Sequence, residues 1–261
     1  MLKFFRKIRF NQMSENKTGK YLKYAIGEIV LVVIGILIAL QINNWKEQRK
    51  ENSDEQAILK RLENEFVSNR KQLLDKIEFR DNLIGSCKRL LEYYDSPDRA
   101  VRDSIFVYLT SIQPPTFDPI QNDLVSSGNI EILKDEDLKE MLINWSTDVV
   151  QLREVERIFL RFCEQDFYPY ANEIDIQREL AYYYYKEIPK NLLDPRQVKN
   201  LIPGKSKLIT RTTNELLTDT KLEGMIAWSL TLNMFNNQES QTLLIRIDSI
   251  LEGIRGQIKE D

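Results

Sequence analysis

The 261-residue chain has no histidine. That one absence removes the Ser-His-Asp triad, the Cys-His pair, HExxH zinc sites and every His-ligated iron or copper site. Cysteine is almost missing too. Cys87 and Cys163 are too few and too far apart in sequence for a zinc ribbon or an iron–sulfur cluster. Glycine and proline number only nine and eight, and no Gly/Ser linker, low-complexity tract or fixed-period repeat divides the chain. No catalytic residue, metal site or cofactor is indicated.

What is present argues for a folded, helical protein. Hydrophobic residues make up 42% and aromatics 10%, enough for a packed core. Leu, Ile, Glu, Lys and Arg recur in long helical periodicities, which predicts an all-α fold. The longest apolar run is YAIGEIVLVVIGILIALQINNW, Tyr24 to Trp45. At about 1.5 Å per residue it reaches roughly 31 Å, the thickness of bilayer hydrocarbon. Tyr21, Tyr24 and Trp45 are the aromatics expected at headgroup level, and Lys20, Lys23 and Lys46 can snorkel outward. Ile29 to Leu40 has no polar face, which speaks against a buried core helix. The run is too long for a cleaved signal peptide, and QINNWKEQRK after it offers no small-x-small cleavage site.

Charge then orients the span. Residues 1–23 hold seven basic side chains and one acidic one, so the formal net charge of −3 leaves residues 24–261 at −9. A basic flank on a membrane helix needs no nucleic acid to explain it, and none is implied. The expected organisation is a basic cytoplasmic tail (1–23), a transmembrane signal-anchor helix (24–45) and one exported, periplasmic multi-helix bundle (46–261), attached single-pass to the inner membrane of a Gram-negative cell. The lipid bilayer is the first partner this implies.

FFRKIR near the start, followed by YAIGEIVLVVIGILIALQINNW, resembles the opening of a family of uncharacterised single-pass membrane proteins of bacteroidete bacteria, a domain of unknown function. TFDPIQNDLVSSGNIEIL resembles it more loosely. The resemblance implies an inner-membrane protein with an exported helical domain. It implies no reaction, ligand or site residue.

Beyond Trp45 no glycine or proline occurs before Gly85. Apolar residues at Ile58, Leu62, Phe66, Leu73, Ile77, Leu83, Cys87, Leu90 and Tyr94 predict one long amphipathic helix ending near YYDSPD, compatible with continuation from the span. Asn69, Lys76 and Arg80 interrupt any heptad, favouring a bundle over a two-stranded coiled coil. A second helix is expected from about Pro97 to Ile112. FDPIQNDLVSSGN reads as a short helix capped by Asp118 with Pro119 at its first position, and NIEIL is compatible with extended backbone. Asp135 caps a long helix carrying Leu138, Met141, Leu142, Trp145, Val149, Leu152, Phe159 and Phe162 on one face, closed by Pro169. Ile174 to Glu187 reads as helix. So does Leu208 to Lys259, with a weak point at FNNQES.

Candidate sites are few. Acidic clusters at Asp118–Asp123 and Asp135–Asp137 lack calcium-loop spacing, and helix-start electrostatics and capping account for them. Four tyrosines at 182–185 point all round one helix, so some must face solvent, a sugar or a protein. Cys87 and Cys163 can pair as a disulfide if exported, or act as small hydrophobes on apolar faces. Two DSI triplets, at Asp103 and Asp248, resemble a short O-glycosylation acceptor, with chance the simpler reading. Within the span, Gly27, Leu31, Gly35 and Ala39 recur every four residues. With Glu28 beside them they form a candidate membrane-helix packing face. The favoured function is a non-enzymatic, membrane-anchored interaction or scaffold module. It has a homo-oligomeric contact or a membrane or envelope protein as partner. The alternatives are a sensory or ligand-binding domain signalling through a membrane partner, since a tail of 23 residues is short for an output domain, and a carboxylate-based cell-wall hydrolase.

Overall fold

The computed structural model describes residues 18–120, 129–187, 203–208 and 211–259. The chain is all-α, and no strand occurs among the described residues. One long apolar N-terminal helix, long enough to span a membrane, leads into a multi-helix bundle. By its contacts the chain divides into residues 1–58 and 59–261, each described here by itself.

Helix α1, Thr18–Asp95, is 78 residues long. In the first unit, an 18-residue stretch has a mean hydropathy of 2.6 and none of it is buried. Ile29, Leu31, Ile34, Leu37 and Leu40 are all more than half or about half exposed. At its end Arg49 lies over the Trp45 ring, 5.7 Å from the centroid.

In the second unit the rest of α1 joins α2 (Arg102–Leu109), α3 (Glu136–Phe162), α4 (Tyr168–Glu173), α5 (Gln177–Glu187), α6 (Thr213–Leu217) and α7 (Thr220–Gln257). α3 and α7 each start at a cap that supplies orphan N–H groups with an acceptor. Asp135 accepts from the Leu138 N–H at 2.8 Å, and Asp219 from the Leu222 N–H at 3.0 Å. Thr212 and Glu215 form a reciprocal capping box on α6. Asp135 thus does what its place in the sequence predicts.

Side-chain pairs set the helix directions. Glu63, Arg70 and Asp81 of α1 meet Arg255, Asp248 and Asn237 of α7 in reverse order, so α1 and α7 are antiparallel. Phe66 packs on Trp145 and Arg80 meets Glu156, so α1 and α3 run parallel. α3 and α7 are extensively paired. A methyl group added at Gly253 of α7 would lie 3.4 Å from Met141 and 3.5 Å from Leu138, showing how close the two approach.

Several local expectations are corrected. The second helix is shorter than expected, because Pro97–Arg99 forms a separate 3-10 turn before α2. NIEIL is not extended, as Asn129–Ile132 is a 3-10 helix. Pro169 does not close α3. A π turn at Cys163–Phe167 shifts the hydrogen-bond register, with the Tyr168 N–H donating to the Cys163 carbonyl, and the chain stays helical past the proline to Glu173. FNNQES is no weak point either. α7 runs unbroken through it because Asn236, Asn237 and Ser240 are buried in the bundle, where tertiary contacts override poor helix propensity. Asp118 and Pro119 are irregular, and the rest of the short helix expected there lies outside the described residues.

Candidate functional site

All three long helices break their apolar stripe at the same level. In α1 Arg80 stands between Ile77 and Leu83. In α3 Glu156 stands between Leu152 and Phe159. In α7 Asn233, Asn236, Asn237 and Ser240 stand between Leu232 and Leu243. Above this layer lies the main apolar cluster, from Leu83 and Leu90 through Phe106, Phe159 and Phe167 to Ile226. Below it lie Phe66, Leu73, Leu142, Trp145, Val149 and Ile247.

Within the layer Arg80 is 0% and Glu156 3% exposed. Arg80 donates to one Glu156 oxygen and, at 2.7 Å, to the Ser240 hydroxyl, while the other Glu156 oxygen accepts from the Phe117 N–H at 2.9 Å. Burial pushes the Arg80 guanidinium down from its ordinary value, against the opposing pull of Glu156. Burial likewise raises the Glu156 carboxyl, opposed by Arg80 and the Phe117 N–H. Arg80 Nε and the Oδ1 atoms of Asn233, Asn236 and Asn237 find no hydrogen-bond partner. A layer so enclosed holds no substrate in this conformation. Its chemistry is that of a register-fixing polar core.

One face of α1 also grips irregular backbone. Asn69 donates to the Ile120 carbonyl at 2.9 Å and accepts from the Ile120 N–H at 2.8 Å. Gln72 does the same for Asp118, both bonds at 3.0 Å. Two amide side chains thus stand in for a neighbouring strand and satisfy backbone that no helix covers. The Asp118 carboxylate pairs with Arg153 at 2.5 Å instead of capping a described helix.

One opening in the second unit lies between the end of α2, the π turn and α5. Its volume is about 310 Å3, at the lower edge of the range for small-molecule sites. Leu109, Ile112, Phe167 and Leu180 form its buried floor. Thr110, Gln113, Gln177, Tyr168, Tyr184 and Tyr185 form its walls and rim. The two walls are held in place by Arg102 on α2, which donates to both carboxylate oxygens of Glu179 on α5 at 3.2 and 2.8 Å. Phe106 and Tyr183 stack between them, centroids 5.7 Å apart. Lys205 closes this side by bonding to Tyr183 and, at 3.0 Å, to Asp103.

The four tyrosines divide as their spacing demands. Tyr183 is fully buried, Tyr182 and Tyr184 are half-buried and Tyr185 is 41% exposed. Cys87 and Cys163 lie buried in the same apolar cluster as free thiols. Burial pushes both up to about 12, and for Cys163 the nearby Glu164 and Cys87 add to the effect. Among the described residues no group of three or more candidate metal ligands occurs, and Asp123 of the first acidic cluster lies outside them. Asp103 and Asp248 of the DSI triplets both sit in helices, α2 and α7.

Gly27, Glu28, Leu31, Gly35 and Ala39 are exposed on α1. A methyl group added at Gly27 or Gly35 meets nothing within 4 Å.

Sequence reasoning missed the polar layer and the cavity as units. The signal for the first was present in the heptad interruption at Arg80 and the polar run FNNQES, which needed pairing across 160 residues to mean anything. The cavity had a weaker signal in YYYY alone.

No curated protein and no solved structure matches the chain. Residues 28–145, from within the apolar span to Trp145 of α3, match the model of DUF6090, described as a family of unknown function.

Proposed function

We propose that the chain is a non-enzymatic interaction or scaffold module of the bacterial inner membrane, similar to uncharacterised single-pass proteins of bacteroidetes. Tyr24–Trp45 is its signal anchor, residues 1–23 are cytoplasmic and residues 46–261 are periplasmic. The observation that carries this reading is the apolar surface of α1 from Ile26 to Trp45. It stays exposed along its whole length and needs lipid or another membrane helix to cover it. The basic flank sets the orientation. Export places Cys87 and Cys163, neighbours in one core, in an oxidising compartment where they can close as a disulfide.

Fusions after Asp261 test the topology. Alkaline phosphatase should be active there and a cytoplasm-dependent fluorophore dark, and the reverse pattern overturns the periplasmic placement. Capture of the intact chain from mild detergent tests the scaffold role. It should bring a stoichiometric membrane or envelope protein, or a second copy, and a strictly monomeric chain without companions overturns it.

A second reading is favoured by the cavity beside α5: a ligand-binding domain that signals through a membrane partner. In that reading the partner supplies the cytoplasmic output.

A further inference from the structure

Among the described residues, those that line the cavity between α2, the π turn and α5 carry no charge, in a chain where 30% of residues do. An ionic occupant would meet no counter-charge among these residues, which disfavours carboxylates, phosphates and ammonium groups as ligands. The floor is hydrocarbon, so part of the occupant must be apolar.

A purely apolar occupant fits no better, because of the rim. Gln113 donates through its amide nitrogen to the Thr110 carbonyl at 2.6 Å, which leaves its oxygen as an acceptor. Gln177 brings a whole amide, and Tyr184 and Tyr185 each bring a hydroxyl. Covering these groups with hydrocarbon would leave them unpaired, at a cost that works against binding. The rings themselves are set at right angles. Tyr184 and Tyr185 lie 5.1 Å apart with planes at 89°, an edge-to-face pair, and both line the cavity.

Neutral, part apolar, ring-shaped and bearing groups that both donate and accept hydrogen bonds is the description of a sugar. Its C–H face can lie on a tyrosine ring while its hydroxyls meet neutral amides. We propose that this cavity is a binding site for a neutral saccharide unit, with Tyr184 as stacking platform and Gln113 and Gln177 as hydrogen-bonding partners.

The local backbone supports a built site. The π turn Cys163–Phe167 ends at Phe167 in the cavity floor, with Tyr168 next to it in the wall, and π turns occur frequently at functional sites. Asp175, just before α5, has φ 61°. This uncommon conformation for a residue with a side chain sets the direction in which α5 leaves.

The proposal rests on the ligand-binding reading of this cavity and not on the topology. The full chain in lipid nanodiscs is titrated by calorimetry with three neutral disaccharides, maltose, cellobiose and N,N′-diacetylchitobiose, and separately with indole. At least one disaccharide should bind saturably, with Kd on the order of 10 μM to 1 mM. Tyr184→Ala and Gln113→Ala should each weaken it tenfold or more. Ala181→Trp, which fills the cavity from its wall, should abolish it while cooperative thermal unfolding persists. Saturable indole binding with no disaccharide bound overturns the saccharide assignment but keeps the cavity as a ligand site. Binding of neither, or disaccharide binding unchanged in all three variants, overturns the cavity as the site.

Discussion

Glu156 accepts from the Arg80 guanidinium on one oxygen and from the Phe117 N–H on the other, in a volume closed to water. Taking both charges out of water is expensive, and their mutual attraction offsets that only while both are present. Removing one partner therefore costs more than removing both. Glu156→Ala should destabilise the protein by about 3–5 kcal/mol in chemical denaturation. Replacing the pair together, Arg80→Met with Glu156→Leu, should cost far less than the two single changes summed. Additive losses would show that the two side chains act independently. Arg80 on α1 bonds to Glu156 on α3 and to Ser240 on α7, so the three helices are joined at one level.

At the scale of the element, α1 combines two chemistries on one helical path. From Ile29 to Leu40 its side chains are apolar all round. Beyond Leu59 only one stripe is buried, with spacings of three and four residues. In the span, Gly35 and Ala39 form a small-xxx-small pair that lets a second backbone approach closely, and Glu28 sits about a turn inside Tyr24, where lipid contact is costly for a carboxylate. We propose that this face meets another membrane helix. Gly35→Ile should then weaken self-association or partner capture in membranes, and Glu28→Gln should weaken it if the carboxylate pairs across the contact. If both variants insert and associate like the parent, α1 is an anchor and nothing more. The α1 stretch around Asn69 and Gln72 has a different task, holding residues 118 and 120 by their backbone.

For the whole molecule, the buried acids of the upper core set a pH dependence. Cys87 and Cys163 rise from 9.0 to about 12, and Tyr170, which donates to Asp219, rises from 10.0 to about 12. Burial raises Tyr94 and Tyr168 in the same sense. Below pH about 9 folded and unfolded chains both keep these protons, and the stabilisation is complete. Between pH about 9 and about 12 the unfolded chain has released them and the folded one has not. Stability therefore falls as pH rises through this window. The midpoint of thermal unfolding, followed by helical circular dichroism of the intact chain with both thiols reduced, should drop steadily from about pH 9 upward. Cys87→Ala with Cys163→Ala should flatten the first part of that decline and leave the tyrosine-driven part. A midpoint constant across this range would show that these groups are not buried together.

The all-α class, the apolar span, the cap at Asp135 and the buried faces of α1 and α3 follow from neighbours at most a few residues apart, because helix periodicity and capping are local. The polar layer does not. Arg80 and FNNQES look like breaks in two separate helices, and only their meeting across the bundle turns both into one stabilised centre. The same holds for Pro169, a stop signal locally, which the π turn absorbs because Phe162 and Phe167 on either side are already packed in the core. The cavity is the extreme case. Its floor and rim come from residues 109 to 185, and the absence of charge that defines its chemistry belongs to no single stretch. Local sequence determined which elements form and where they stop being apolar. Tertiary packing decided which polar groups meet, because burial and pairing depend on neighbours that are distant along the chain.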